Sequence, residues 1–178
     1  MGIEQIKLKD KHTWKCRPGY SICVIDRGVL RFDYPSKWIV KPEQGAVHLH
    51  DREPCVESCD LGVSTFQVPH EAVRGLDLDE TLEHTLSQDK KPYHQSEIRH
   101  ITRPDLEISW LEQHYKDPEN NRDARFRVAL ARGTVLCLIS MSYWSNRAPG
   151  LERVWDEVLR TLVMGIQVTD PTVGPTIH

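Results

Sequence analysis

Arg125-Phe126-Arg127-Val128-Ala129-Leu130-Ala131-Arg132-Gly133-Thr134-Val135-Leu136-Cys137-Leu138-Ile139-Ser140-Met141-Ser142-Tyr143 is the stretch whose reading decides the fold. Phe126, Val128 and Leu130 alternate with Arg125, Arg127 and Ala129, the period-2 pattern of a strand with one wetter face. Arg132-Gly133 turns the chain. The return strand, Thr134 to Tyr143, is apolar at Val135, Leu136, Cys137, Leu138, Ile139 and Met141, so both of its faces should be covered. It is expected at the centre of a sheet. A polar turn at Ser145 and Asn146 follows. Pro149 then suits a first helical position, where its missing N–H costs nothing, and Gly165 suits the stop. Between them Leu151, Val154, Trp155, Val158, Leu159, Leu162 and Val163 form one apolar stripe at spacings of three and one, which predicts an amphipathic helix lying on the sheet.

Working outward, Tyr20 to Ile25 and Val29 to Tyr34 read as a hairpin turning at Asp26-Arg27-Gly28, with Leu30, Phe32 and Tyr34 on one face. Trp38 to Val40, Ala46 to Asp51 and Gly62 to Val68 read as further strands, and the polar, Pro54-containing segment between the last two as a loop. Leu78, Leu82, Thr85 and Leu86 mark a helix face capped by Asp77 or Asp79, ended by Asp89-Lys90-Lys91-Pro92. Ile98 to Thr102 and Leu106 to Tyr115 are strands, and Asp117 to Asn121 is a hairpin tip. The order predicts an α+β fold, an antiparallel sheet flanked by helices with the C-terminal helix packed on it. Residues 1–165 are expected to form one domain and residues 166–178 an extended tail.

Composition bounds the function. The chain has 178 residues, enough to bury roughly 70% of the surface exposed on unfolding, and its five Trp supply large core anchors. A net charge of -3 gives no electrostatic footprint for nucleic acid. Arg122, Arg125, Arg127 and Arg132 lie close together but alternate with acids, which reads as a solvated face of mixed charge. Residues 1–14 hold no apolar run long enough for a signal peptide or a membrane span, so a cytoplasmic protein without membrane insertion is expected. The five cysteines lack a C-x-x-C pair, which argues against a disulfide framework or a zinc ribbon. Cys23 and Cys137 should be buried thiols.

Three places resemble the PsbP-like superfamily, which includes the Ran-binding Mog proteins and DcrB-related domains. They are Arg31-Phe32-Asp33-Tyr34-Pro35-Ser36-Lys37-Trp38, the Arg132-Gly133 hairpin with its apolar return strand, and the terminal helix. The family's last helix often ends in a Ser-Phe pair, where this chain has Leu162-Val163-Met164-Gly165. The resemblance covers most of residues 19 to 165 and implies a Mog/PsbP-like sandwich. It also implies action by binding other proteins: photosystem subunits, a GTPase, or type VI secretion effectors that need a chaperone. The chaperone version implies a homodimer with a groove for an apolar helix. The resemblance carries no shared catalytic residues.

For chemistry, His48-x-His50 is the best candidate metal site, since alternate strand residues project from one face and present two imidazoles together. A third ligand would come from elsewhere: Cys55, Cys59 or His114. Solvent-exposed histidines are the simpler reading. Cys55 and Cys59 lie among acids that would raise a thiol pKa and read as unreactive. Glu107, Glu112 and His114 partly share a strand face and read as solvated. No Gly-rich phosphate loop, G-x-S-x-G or H-E-x-x-H is present, so no cofactor is expected, although missing signatures do not exclude an enzyme. Trp110, Tyr143 and Trp144 are candidate partner-binding residues if exposed, because large aromatics dominate interface energetics. The expectation is therefore a non-catalytic protein-binding domain, an adaptor, chaperone or assembly factor of unidentified partner. The competing reading is a metal-dependent enzyme using His48 and His50.

Overall fold

The computed structural model describes residues 6–66, 68–86 and 91–175. In chain order its strands and helices are β1 (Tyr20–Ile25), β2 (Leu30–Pro35), β3 (Ile39–Glu43), β4 (Ala46–His50), β5 (Asp60–Phe66), α1 (His70–Arg74), α2 (Leu78–Thr85), β6 (His94–Gln95), β7 (Arg99–Arg103), β8 (Leu106–Lys116), β9 (Asp123–Arg132), β10 (Leu136–Trp144), α3 (Ala148–Thr161) and β11 (Val163–Met164). The main antiparallel sheet runs β3-β4-β5-β10-β9-β8-β6, with β7 also paired to the outer edge of β8. A small sheet runs β1-β2-β11. The expected hairpins at β1–β2 and β9–β10 both form. Gly28 turns the first with φ +109°, and a Cβ there would stand 2.1 Å from the Ile166 carbonyl oxygen, so only glycine fits.

β10 lies at the centre of the main sheet, as its apolar run predicts. Period-2 alternation then divides the core. On one face Cys137, Ile139 and Met141 join Trp110, Ala129, Leu61, Leu49 and Phe32 beneath Leu151, Trp155, Val158 and Leu159 of α3. On the other, Leu111, Val128 and Leu130 pack under Leu78 and Leu82 of α2. The expected arrangement of an antiparallel sheet with helices on both faces is what the chain adopts. Asp77 is the N-cap of α2, its Oδ1 accepting from the N–H groups of Asp79 (3.0 Å) and Glu80 (3.1 Å). α1, β6 and β11 have no counterpart in the sequence reading.

Four expectations need correction. The terminal helix stops at Thr161, not Gly165: Leu162 is extended and Val163–Met164 pair with Arg31 and Leu30, because the unfilled edge of β2 offers a β-branched Val a strand ladder. Arg127 does not face water. It is buried over the Trp110 ring, with Nε 2.5 Å from Glu112 and Nη2 3.2 Å from Glu152. Glu112 likewise belongs to this buried network and not to a solvated face. The described part of the tail, 166–175, returns along the N-terminal segment: Val168 and Trp14 are buried, Trp14 Nε1 donates to the Pro171 carbonyl, and Lys9 pairs with Asp170. Residues 176–178, and most of the stop expected at Asp89 to Pro92, lie outside the described residues. Among the described residues no helix is long and apolar enough to cross a membrane.

Candidate functional site

The aromatic anchors expected at the surface are in the core. Trp110 and Trp144 are 7% and 8% exposed and Tyr143 is buried with them, so none is free to meet a partner. Trp110 packs against Trp155. Tyr143 donates to Glu112 Oε2 at 3.3 Å, and burial pushes its phenol well above the ordinary range. Trp144 holds the loop between β4 and β5: its Nε1 donates to the Val56 carbonyl at 2.7 Å while Arg122 stacks on its ring. Arg147 joins the same loop, pairing with Asp51 and donating to the Glu57 carbonyl. Burial of tryptophan is the general rule, and here even the indole N–H of Trp144 is used internally.

The opposite outcome holds on the outward face of β10. The sequence predicts cover for both faces, yet Leu136 and Leu138 are half-buried. The reason is length: α2 is eight residues long and packs mainly on β8 and β9, so Leu136 and Leu138 of β10 meet its cluster only at the margin. Leu130, Leu136 and Leu138 floor a groove of about 210 Å³ whose other walls are Phe66, Val68, Thr81 and Thr85. Phe66 is 42% exposed and Val68 36%.

Along the same face, two rungs away, stand the histidines. In the β4–β5 pairing His48 is opposite Gly62 and His50 opposite Asp60, so His48, His50 and Asp60 project together. His48 Nδ1 lies 2.9 Å from Asp60 Oδ1, and His50 Nδ1 lies 3.7 Å from the same oxygen. The imidazoles are nearly parallel, with centroids 6.2 Å apart. The third group is therefore Asp60. Cys59 is buried, with its thiol pushed well above the ordinary range, first by burial and then by Asp51 and Asp60 against the pull of Arg147. His114 sits across the sheet, 2.7 Å from Glu112. Starting β5 at Asp60 instead of Gly62 puts Asp60, Gly62, Ser64 and Phe66 on one face, the signal that finds both the third donor and the groove wall.

A cleft of about 400 Å³ opens elsewhere, beside Lys15, Arg17, Arg31, Asp33 and Arg160. Asp33 pairs with Arg31 at 2.5 Å, yet burial raises its carboxyl above the ordinary value, and nearby Glu157 adds to the rise. Arg31 is committed to the carbonyls of Thr161 and Lys15. These bonds tie β2 to the end of α3.

The family described as Alr1449 matches residues 21–168. A protein of Nostoc sp. (strain PCC 7120), named alr1449 and described as uncharacterized, is 33% identical over 174 residues, covering 96% of this chain and 91% of its own. Among solved structures, the cyanobacterial PsbP (CyanoP) of Synechocystis sp. PCC 6803 superposes with a TM-score of 0.57 at 15% identity, over 86% of this chain and 99% of that one. A Pseudomonas aeruginosa protein, PA94, described as a putative regulator of unknown function, superposes at 0.53 with 14% identity, over 82% and 97%. The fold is PsbP-like.

Proposed function

This chain belongs to the Alr1449 family, and we propose that it is a non-catalytic protein-binding domain, an adaptor, chaperone or assembly factor. It docks its partner on the outward face of β10 and β5. The observation that carries the reading is the apolar central strand left half-covered: Leu136 and Leu138 have the composition of a buried position, and only the margin of α2 reaches them. An exposed apolar patch rimmed by polar groups is where partners bind. The partner presents an apolar helix face that fits the groove. A type VI effector-chaperone role is one specific form of this reading.

Burying the exposed 42% of Phe66 against a partner contributes about 0.6–1.3 kcal/mol, roughly three- to tenfold in affinity. The experiment is partner capture with tagged wild type, a Phe66→Asp/Val68→Asp variant and a Tyr93→Asp control, Tyr93 being exposed on the far edge of the sheet. The expected result is a dominant partner lost by the double variant and kept by the control. An identical set of captured proteins for all three would refute the docking face.

A further inference from the structure

We propose that His48, His50 and Asp60 form a binding site for one divalent transition-metal ion of the zinc class, on the same sheet face but independent of the apolar groove. The three side chains come from adjacent positions of a paired ladder, not from mobile loops, so their mutual placement is set by strand register. Their ligand atoms all lie within 4.8 Å of one another. A tetrahedral zinc with bonds of about 2.0–2.2 Å needs its ligand atoms roughly 3.3 Å apart. The separations of Asp60 Oδ1 from His48 Nδ1 and His50 Nδ1, 2.9 and 3.7 Å, bracket that value, the shorter being a hydrogen bond that the ion would replace.

Two further observations point at an occupant. The His50 side chain is 12% exposed, and its Nδ1 is buried without a hydrogen-bond partner among the described residues. A buried polar nitrogen left unsatisfied is costly, and a metal bond satisfies it. On the other side of His48, Glu43 Oε2 stands 3.7 Å from Nε2, close enough to swing into a hydrogen bond that would orient a metal-bound imidazole. Gly62 keeps the rung beside them clear, since a Cβ there would stand 3.3 Å from His48 Cε1 and 3.2 Å from Ser140 Oγ. Two imidazoles and one carboxylate suit zinc, nickel or cobalt and are a poor set for magnesium or calcium, which prefer oxygen. The remaining coordination position faces outward, open to water or to a partner's side chain.

The test uses the untagged full chain, stripped with a chelator and titrated with Zn²⁺ by calorimetry, and with Co²⁺ by visible absorption. One ion per chain is expected, with a Tm that rises with Zn²⁺ concentration and is insensitive to Mg²⁺. His48→Gln and Asp60→Asn should each weaken Zn²⁺ binding by about tenfold or more, while His84→Ala, at an exposed position on α2, leaves it unchanged. His48→Gln keeps a polar side chain at a partly exposed site, so loss of binding with a native circular-dichroism spectrum reports the ligand and not the fold. Zn²⁺ binding absent from wild type, or retained equally by His48→Gln and Asp60→Asn, would overturn the site. Partner capture is untouched by either result.

Discussion

The two faces of the main sheet contrast sharply. Beneath α3, Trp155, Ile139, Met141 and Phe32 are fully buried, and even charged side chains are drawn in, Arg127 lying on Trp110 with Glu112 and Glu152 around it. Across the sheet, the same central strand carries Leu136 and Leu138 into a groove that α2 fails to close. An apolar strand thus states how much surface requires cover, and the length of the covering helix decides how much receives it. The face that folding completes is structural; the face that it leaves half-covered is the one the proposed docking uses.

The contrast can be broken most directly from the finished side. Trp155→Ala should destabilise the fold by about 3–5 kcal/mol in chemical denaturation, because the indole is fully buried between α3 and the sheet. A loss under about 1 kcal/mol would mean that α3 is not the cover this account describes.

Next is the buried network. Glu112→Ala strips Arg127 of its 2.5 Å partner and should cost about 1–3 kcal/mol, partly relieved by Glu152. It should also change the acid limb of stability. Burial alone would raise the Glu112 carboxyl, but hydrogen bonds from His114 and Arg127 and the charges of Arg127 and Arg125 outweigh it and hold it below its ordinary value. A depressed carboxylate contributes stability above its unfolded pKa of about 4.3 and loses it as pH falls through the lower folded value. Melting curves from pH 6 down to about 2 should therefore fall less steeply for Glu112→Gln than for wild type. Parallel curves would place Glu112 outside the linkage.

On the unfinished side the effects shrink. Asp77→Ala removes the cap of α2 and should cost about 1 kcal/mol, loosening the helix that lies over β8 and β9. Phe66→Asp should change stability by no more than about 0.5 kcal/mol, because the ring is already 42% exposed. A large loss of Tm in Phe66→Asp would make that residue core and erase the distinction between the faces.

Much of this was legible in the residues. The alternation of 125–143 located the hairpin and the central strand, and the stripe from Leu151 to Val163 located α3, though its last residue belongs to β11, because periodicity reports burial and not the element that provides it. Asp77 and Asp79 marked the cap, and the structure gives it to Asp77. The short elements α1, β6 and β11 were not legible: two to five residues carry too little pattern, and β11 exists only because β2 has an open edge. Arg127 was misjudged because sequence shows charge but not the cross-strand Glu112 that allows it to be buried. Trp110, Tyr143 and Trp144 were candidates for the surface, since composition alone cannot say which aromatics a fold encloses. His48 and His50 were visible as a pair, and their third companion waited on the register of β5.

The most direct test of the docking face is photo-cross-linking in cells with a photoreactive phenylalanine analogue at position 66, compared with the same analogue at position 93. The account predicts a discrete adduct from position 66 and none from position 93. No adduct at 66, or the same adducts from both positions, would contradict it.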